Sequence, residues 1–310
     1  MRRGTLRNRM TSVARIPTGQ ADAADAARQL GTILEREGPR LFAIALRMCG
    51  NRADAEDMVQ DTFLQAIRKW DTFRGESSRG TWLWSIATRS CKVRMRRKGG
   101  IDRRMPAMSQ VMPWGETTIM AAAAKGAGAG EAAASKESVR RVQGAIVTLP
   151  EHYRIPLLLK EVVGLSVEDV SAATGLDPNT IKTRLHRARL ALRKVLTSGS
   201  RAIEAPMPIY EKQVCLDLLR MKLEAMDRPG SRARSVIPQA EVCARCRAVF
   251  RELDFVADAC ASMGEGEMPR ALRDKIAAAI KASDQSAHAA AGVKRPRVGR
   301  PPVPRKPSSR

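Results

Sequence analysis

Across 310 residues the chain carries 55 lysines and arginines against 32 aspartates and glutamates, a formal net charge of +23, with 44% hydrophobic but only 4% aromatic residues. That surplus calls for a polyanionic partner, and because it clusters on stretches that read as helices, nucleic acid fits better than a membrane surface. No apolar run reaches the ~20 residues of a membrane span, and six unevenly spaced cysteines make no disulfide framework, so the expected setting is a reducing cytoplasm without membrane contact.

Frequent Ala, Leu, Arg and Glu with few β-branched runs make the expected fold class all-α. The expected architecture is two small helical domains joined by a flexible linker, then a small helical C-terminal domain and a disordered basic tail. In chain order, residues 1–21 are Arg-rich and lack the apolar core of a secretory signal, so they read as a disordered basic arm. Residues 22–98 read as the first helical domain. In "DAEDMVQDTFLQAIRKW", Val59, Phe63, Ala66, Ile67 and Trp70 recur at helical spacing and form a stripe for burial. Asp57, Gln60, Asp61 and Gln65 lie off that stripe. In so basic a chain, an exposed polar face with acids suits a protein partner better than DNA.

The next helix is seated by Trp82, Leu83, Ile86 and Ala87. Arg89, Lys92, Arg94, Arg96, Arg97 and Lys98 give it a dense positive surface. A basic helix following an aromatic pair suits separated strands, whose bases stack once a duplex opens. Of the pair, Trp84 is the expected stacking residue and Trp82 reads at least as well as core. Residues 99–135 are rich in Gly, Ala and Met without a steady period and read as the linker.

Residues 136–198 read as the second helical domain. Val139, Val142, Ile146 and Leu149 form one stripe, and Pro150 restarts the chain. In "LSVEDVSAATG", Ser166 is placed to cap a short helix that Gly175 ends. Asp177 and Pro178 then open another, since Asp caps free N–H groups and Pro suits the first helical position. Ile181, Leu185, Ala188, Leu192 and Val195 form its apolar stripe, leaving Arg189 and Arg193 on the polar faces. Two helices joined by a tight Gly-containing turn, the second basic at its front, make a helix-turn-helix. Asn179, Thr180, Lys182, Thr183, Arg184 and Arg187 are the candidate DNA contacts.

Residues 209–283 read as the third, smaller domain. Cys215 sits on an expected helix from Ile209 to Asp227, and Cys243 and Cys246 in "QAEVCARC" share a helical face. Three thiols are one ligand short of a closed zinc site. Bound zinc, a thiol switch and simple packing as small hydrophobes all stand as readings. Residues 284–310 read as a disordered basic tail.

The run "LPEHYRIPLLLKEVVGLSVEDVSAATGLDPNTIKTRLHRARLALRKVL" resembles domain four of the extracytoplasmic-function (ECF) group of sigma-70 factors. "LFAIALRMCGNRADAEDMVQDTFLQAIRKW" and "FRGESSRGTWLWSIATRSCKVRMRRK" are similar to domain two of that group. The resemblance covers about half the chain. It implies a transcription initiation factor that binds core RNA polymerase through its β′ and β subunits and directs it to promoter DNA.

By the same resemblance, Asp57, Gln60, Asp61 and Gln65 would meet the β′ coiled coil. Trp84, Arg89, Lys92, Arg96 and Arg97 would serve the −10 element, and the helix-turn-helix the −35 element. The linker would thread near the active cleft. Where many members carry Asn and Asp, this chain has Arg89 and Val93, a difference that bears on the −10 sequence preference. The cysteine layout resembles a zinc-binding anti-sigma domain, with Cys215, Cys243 and Cys246 as candidate ligands. Gln239 stands where that pattern has His, which leaves Glu241, a water or Cys260 as substitutes.

The resemblance implies no cofactor for directing transcription and, for the tethered C-terminal domain, intramolecular contact with the other two that controls activity in cis. The competing reading is a dimeric helix-turn-helix regulator that acts without polymerase. An enzyme is not expected. The three histidines form no constellation with a Cys and a carboxylate, and there is no phosphate-binding Gly loop.

Overall fold

The structure, a computed structural model, describes residues 20–75, 77–97, 105–120, 129–197, 202–228, 242–264 and 266–292. Most of the expected arm, the tail beyond 292, and Gln239 and Glu241 lie outside these residues.

The first bundle is α1 (Gln20–Cys49), α2 (Arg52–Arg68) and α3 (Arg79–Arg97). Asn51 caps α2, its side chain accepting from the Asp54 amide at 2.9 Å, and Ser78 accepts from the Thr81 amide at 3.0 Å to start α3. Such caps satisfy amides that the first helical turn leaves without partners. Phe63, Leu41, Ile44 and Met58 fill the core between α1 and α2.

Within the expected linker the chain forms a short helix α4 (Met108–Val111), a 3-10 turn at Pro113–Gly115 and a strand β1 (Thr118–Met120). The strand pairs antiparallel with β2 (Ala202–Glu204), with Ile119 opposite Ile203. These three-residue strands are a small exception within an all-α molecule.

The second bundle holds α5 (Ala129–Thr148), α6 (Glu151–Leu157), α7 (Val167–Thr174) and α8 (Pro178–Thr197). A π-helical turn, Leu158–Val162, extends α6. Pro156 inside α6 has no amide hydrogen, so the His152 carbonyl loses its helical donor. Arg184 of α8 donates to that carbonyl at 3.3 Å. Ser166 caps α7, and Gly175 ends it in the left-handed region at φ 71°. Asp177 accepts from the Asn179 amide at 2.8 Å to open α8.

The C-terminal helices are α9 (Lys212–Asp227), α10 (Ala244–Ala261) and α11 (Arg270–Gly292), so helix continues past residue 283. Around Cys215, Val242, Cys243 and Cys246 they keep a small cluster of their own. Otherwise Leu253, Val256, Met263, Leu272, Ile276 and Ile280 enter the same continuous core as the first two bundles. α10 lies against α5 and α8, and α11 runs along α1 and α2. The link between α10 and α11 wedges between the bundles. A Cβ on Gly264 would stand 3.3 Å from the Val162 carbonyl oxygen, so glycine permits the close approach. Arg40 of α1 donates to that same carbonyl at 2.9 Å.

Candidate nucleic-acid interface

The helix-turn-helix is built as its caps and stripe imply. Ile181, Leu185, Ala188 and Leu192 are fully buried, which turns the front of α8 outward. Asn179, Lys182 and Thr183 are exposed there, while Thr180, Arg184 and Arg187 are half-buried. Arg184 is tied to the His152 carbonyl, and the Arg187 guanidinium lies 5.4 Å from the centre of the Tyr153 ring. α6 therefore positions two of the six candidate contacts. Burial and these two neighbouring cations lower the His152 pKa, so its imidazole stays neutral beside them.

On α3, Arg89 is exposed, and Lys92 donates to the Thr174 carbonyl of α7 at 3.3 Å. The side chains of Arg96 and Arg97 lie outside the described residues. Trp84 corrects the expectation: at 1% exposure it is a core residue and offers no ring to a base. Leu83, Trp84, Ala87 and Cys91 face inward together, leaving Trp82 toward the rim. Trp82 packs edge-on against Trp70 at 5.7 Å and tilted against Phe73 at 5.6 Å. This half-buried aromatic group was missed as a unit because Trp70 reads as the end of the α2 stripe.

The acidic face of α2 is present but engaged. Arg94 of α3 meets Asp61 at 2.7 Å, Asp57 at 3.2 Å and Asp54 at 3.8 Å. Gln65 donates to Ser90 at 3.0 Å, and Gln60 is half-buried.

The two candidate DNA-binding helices do not stand apart. α3 packs against α7, and Thr81 donates to Asp169 at 3.2 Å. Behind α8, the C-terminal helices complete the closure. Arg189 and Arg193, assigned to polar faces from sequence, are fully buried. Arg189 bonds Glu161 at 2.6 Å and Asp227 at 2.7 Å, and His186 meets the other Asp227 oxygen at 2.9 Å. Arg193 bonds Glu252 of α10 at 2.7 Å and pairs also with Glu116 of the linker. Buried guanidinium groups are tolerated only with carboxylates arranged around them. Arg245 of α10 donates to the carbonyls of Pro113, Trp114 and Pro206 at 3.2, 2.9 and 3.1 Å, and to that of Glu116. Expected linker residues are thus pinned between α8 and α10.

Burial opposes the charge on Asp227, but the His186 hydrogen bond and the Arg189 guanidinium outweigh it and hold its carboxyl below the ordinary range. A depressed carboxylate stabilises at neutral pH and loses that contribution as pH falls through its folded value. Small-angle scattering should therefore show the closed form unchanged between about pH 7 and about pH 5, expanding only in stronger acid. Asp227→Asn should remove that acid-linked step.

Cys215, Cys243 and Cys246 are buried together with Trp114, Leu218 and Phe250 around them. Cys243 caps α10 and accepts from the Cys246 amide at 3.5 Å. Burial disfavours its thiolate, yet the backbone donors leave its pKa below that of an ordinary thiol, while burial pushes Cys246 up. Among the described residues no group of three or more His, Cys, Asp or Glu side chains is arranged to hold a metal. Cys260 cannot complete a site, because it lies 14 residues along α10 from Cys246, about 21 Å. The described donors are three thiols packed together, and Gln239 and Glu241 lie outside the described residues.

Residues 33–101 match the Sigma-70 region 2 family, and residues 140–192 match Sigma-70, region 4. The C-terminal third lies outside both. The ECF RNA polymerase sigma factor SigW of Bacillus subtilis is 32% identical over 160 residues, 51% of this chain and 83% of that one. The RNA polymerase sigma-H factor of Pseudomonas aeruginosa is 30% identical over 158 residues, 51% of this chain and 80% of that one. Among solved structures, the sigma factor RpoE in complex with the anti-sigma factor NepR from Bartonella quintana aligns at TM-score 0.36 and 25% identity. It covers 57% of this chain and 96% of that one.

Proposed function

This chain belongs to the ECF RNA polymerase sigma factors, non-enzymatic initiation factors that bind core RNA polymerase and promoter DNA, and from that premise we propose which surfaces do each task and that α9–α11 hold them in check. Asn179, Thr180, Lys182 and Thr183 read the −35 element, with Arg184 and Arg187 steering toward its phosphates. Arg89, Lys92, Arg96 and Arg97 serve the −10 element, with Trp82 in place of Trp84 at the opened strand. Asp57, Gln60, Asp61 and Gln65 dock on the β′ coiled coil.

The C-terminal helices inhibit in cis. The observation that carries this is the burial of Arg189 and Arg193, on the back of the recognition helix, against Asp227, Glu252 and the linker's Glu116. A bridge from α8 to both the linker and the C-terminal helices keeps α3 against α7, so the two DNA-binding bodies cannot spread along a promoter. As a tethered segment, α9–α11 face their target at a local concentration on the order of millimolar.

A protease site placed at Met207, which is 83% exposed, tests this in the folded chain. Cutting the folded chain and separating the fragments at moderate salt should raise run-off transcription by core polymerase. No rise removes cis inhibition. Failure to direct initiation from any promoter, cut or uncut, removes the assignment of these surfaces.

A further inference from the structure

Asp54, Asp57 and Asp61 recur along α2 at steps of three and four, so they share one face. In a chain of net charge +23 such a face is unusual, and the structure shows what covers it. The Arg94 guanidinium bridges all three carboxylates, nearest to Asp61 at 2.7 Å. The contact lies at the rim of the bundle: Asp57 and Asp61 keep 63% and 51% of their side-chain exposure, while Arg94 and Asp54 keep 23% and 13%. It can part without unfolding either helix. Arg94 belongs to α3, where Arg89, Lys92, Arg96 and Arg97 are assigned to DNA. One guanidinium fork can serve the α2 carboxylates or a phosphate, but not both at once.

We propose that Arg94 is an internal counter-ion: in the free chain it occupies the carboxylates that dock polymerase, and when a cationic surface of core polymerase takes them it is released to promoter phosphate. This rests on Asp57 and Asp61 being docking residues. It makes polymerase docking and DNA engagement mutually reinforcing, because each removes the competitor of the other, and such coupling is reciprocal. The free chain should accordingly bind DNA less well than the holoenzyme, because one phosphate ligand is neutralised until docking occurs.

The test uses Arg94→Gln in the full chain. Its affinity for core polymerase should rise about fivefold at low salt, the scale of one partly exposed ion pair, and the gain should fade as salt screens it. The salt dependence of holoenzyme binding to promoter DNA should become shallower by roughly one in log–log slope, the mark of one lost phosphate contact. Arg94→Lys should keep the wild-type slope. Unchanged polymerase affinity, or an unchanged slope, overturns the inference. Asp61→Asn separates the two layers. If it binds core polymerase as tightly as wild type, the docking assignment itself has failed. If it binds more weakly while Arg94→Gln behaves as wild type, only the role of Arg94 is lost. Circular dichroism should show all three variants folded, since Asp57 and Asp61 hold their side of the bridge at the surface.

Discussion

Asp227→Ala in the full chain should raise run-off transcription by core polymerase at least about tenfold, because it removes a charge that only the closed form needs. Asp227 takes hydrogen bonds from Arg189 and His186 across the α8–α9 contact. Without it, Arg189 remains fully buried with Glu161 alone. Hydrogen bonds to charged groups contribute about 1.5–3 kcal/mol each, so losing one shifts the closed-to-open ratio by roughly ten- to a hundredfold. In the open form both partners are hydrated and the substitution costs little. Scattering should report a larger radius of gyration alongside the gain in transcription. A folded but expanded variant with no extra transcription would show that closure does not limit activity.

Trp84→Ala and Trp82→Ala should fail in opposite ways. Trp84 is fully enclosed, so its truncation should cost about 3–5 kcal/mol through lost transfer energy and the cavity left behind. The first bundle should melt several degrees earlier. Trp82 is half-buried in the ring cluster with Trp70 and Phe73, so its truncation loses two ring contacts worth about 0.5–1.5 kcal/mol each beyond the area they bury, and leaves no enclosed cavity. Promoter opening should nonetheless fall about ten- to a hundredfold, the scale of one base stacked on an aromatic ring. Permanganate reactivity of promoter thymines, read beside thermal denaturation, separates the two. Finding Trp84→Ala stable but opening-deficient, with Trp82→Ala silent, would reverse the assignment.

What could be read from the chain depended on whether its cause was local. Ser166, Gly175, Asp177 and Pro178 mark helix ends through chemistry within a few residues, and each acts as its side chain implies. The α8 stripe was legible for the same reason, since every residue of it packs beneath its own helix. Arg189 and Arg193 were not. They follow Leu185 at steps of four, beside the apolar stripe, and their burial depends on Asp227 and Glu252, which arrive 38 and 59 residues later. Glu116 and Trp114 sit in a stretch whose composition looks like a spacer, and Arg193 and Arg245, 77 and well over a hundred residues downstream, give them a place. Trp82 and Trp84 are two residues apart, about half a helical turn, so only one ring can go inward. Which one depends on where Trp70 and Phe73 return, which periodicity within α3 does not encode.

The pairing of β1 with β2 fixes a length. While Met120 is held opposite Ala202, the eight residues from 121 to 128 can reach no more than about 30 Å, however they are arranged. Once that ribbon and Arg245 let go, everything between Arg97 and Ala129 becomes rope, and its limit grows to about 110 Å. On the proposed cis inhibition, release of the C-terminal helices therefore also sets how far apart two sequence boxes can lie and still be spanned by a single molecule.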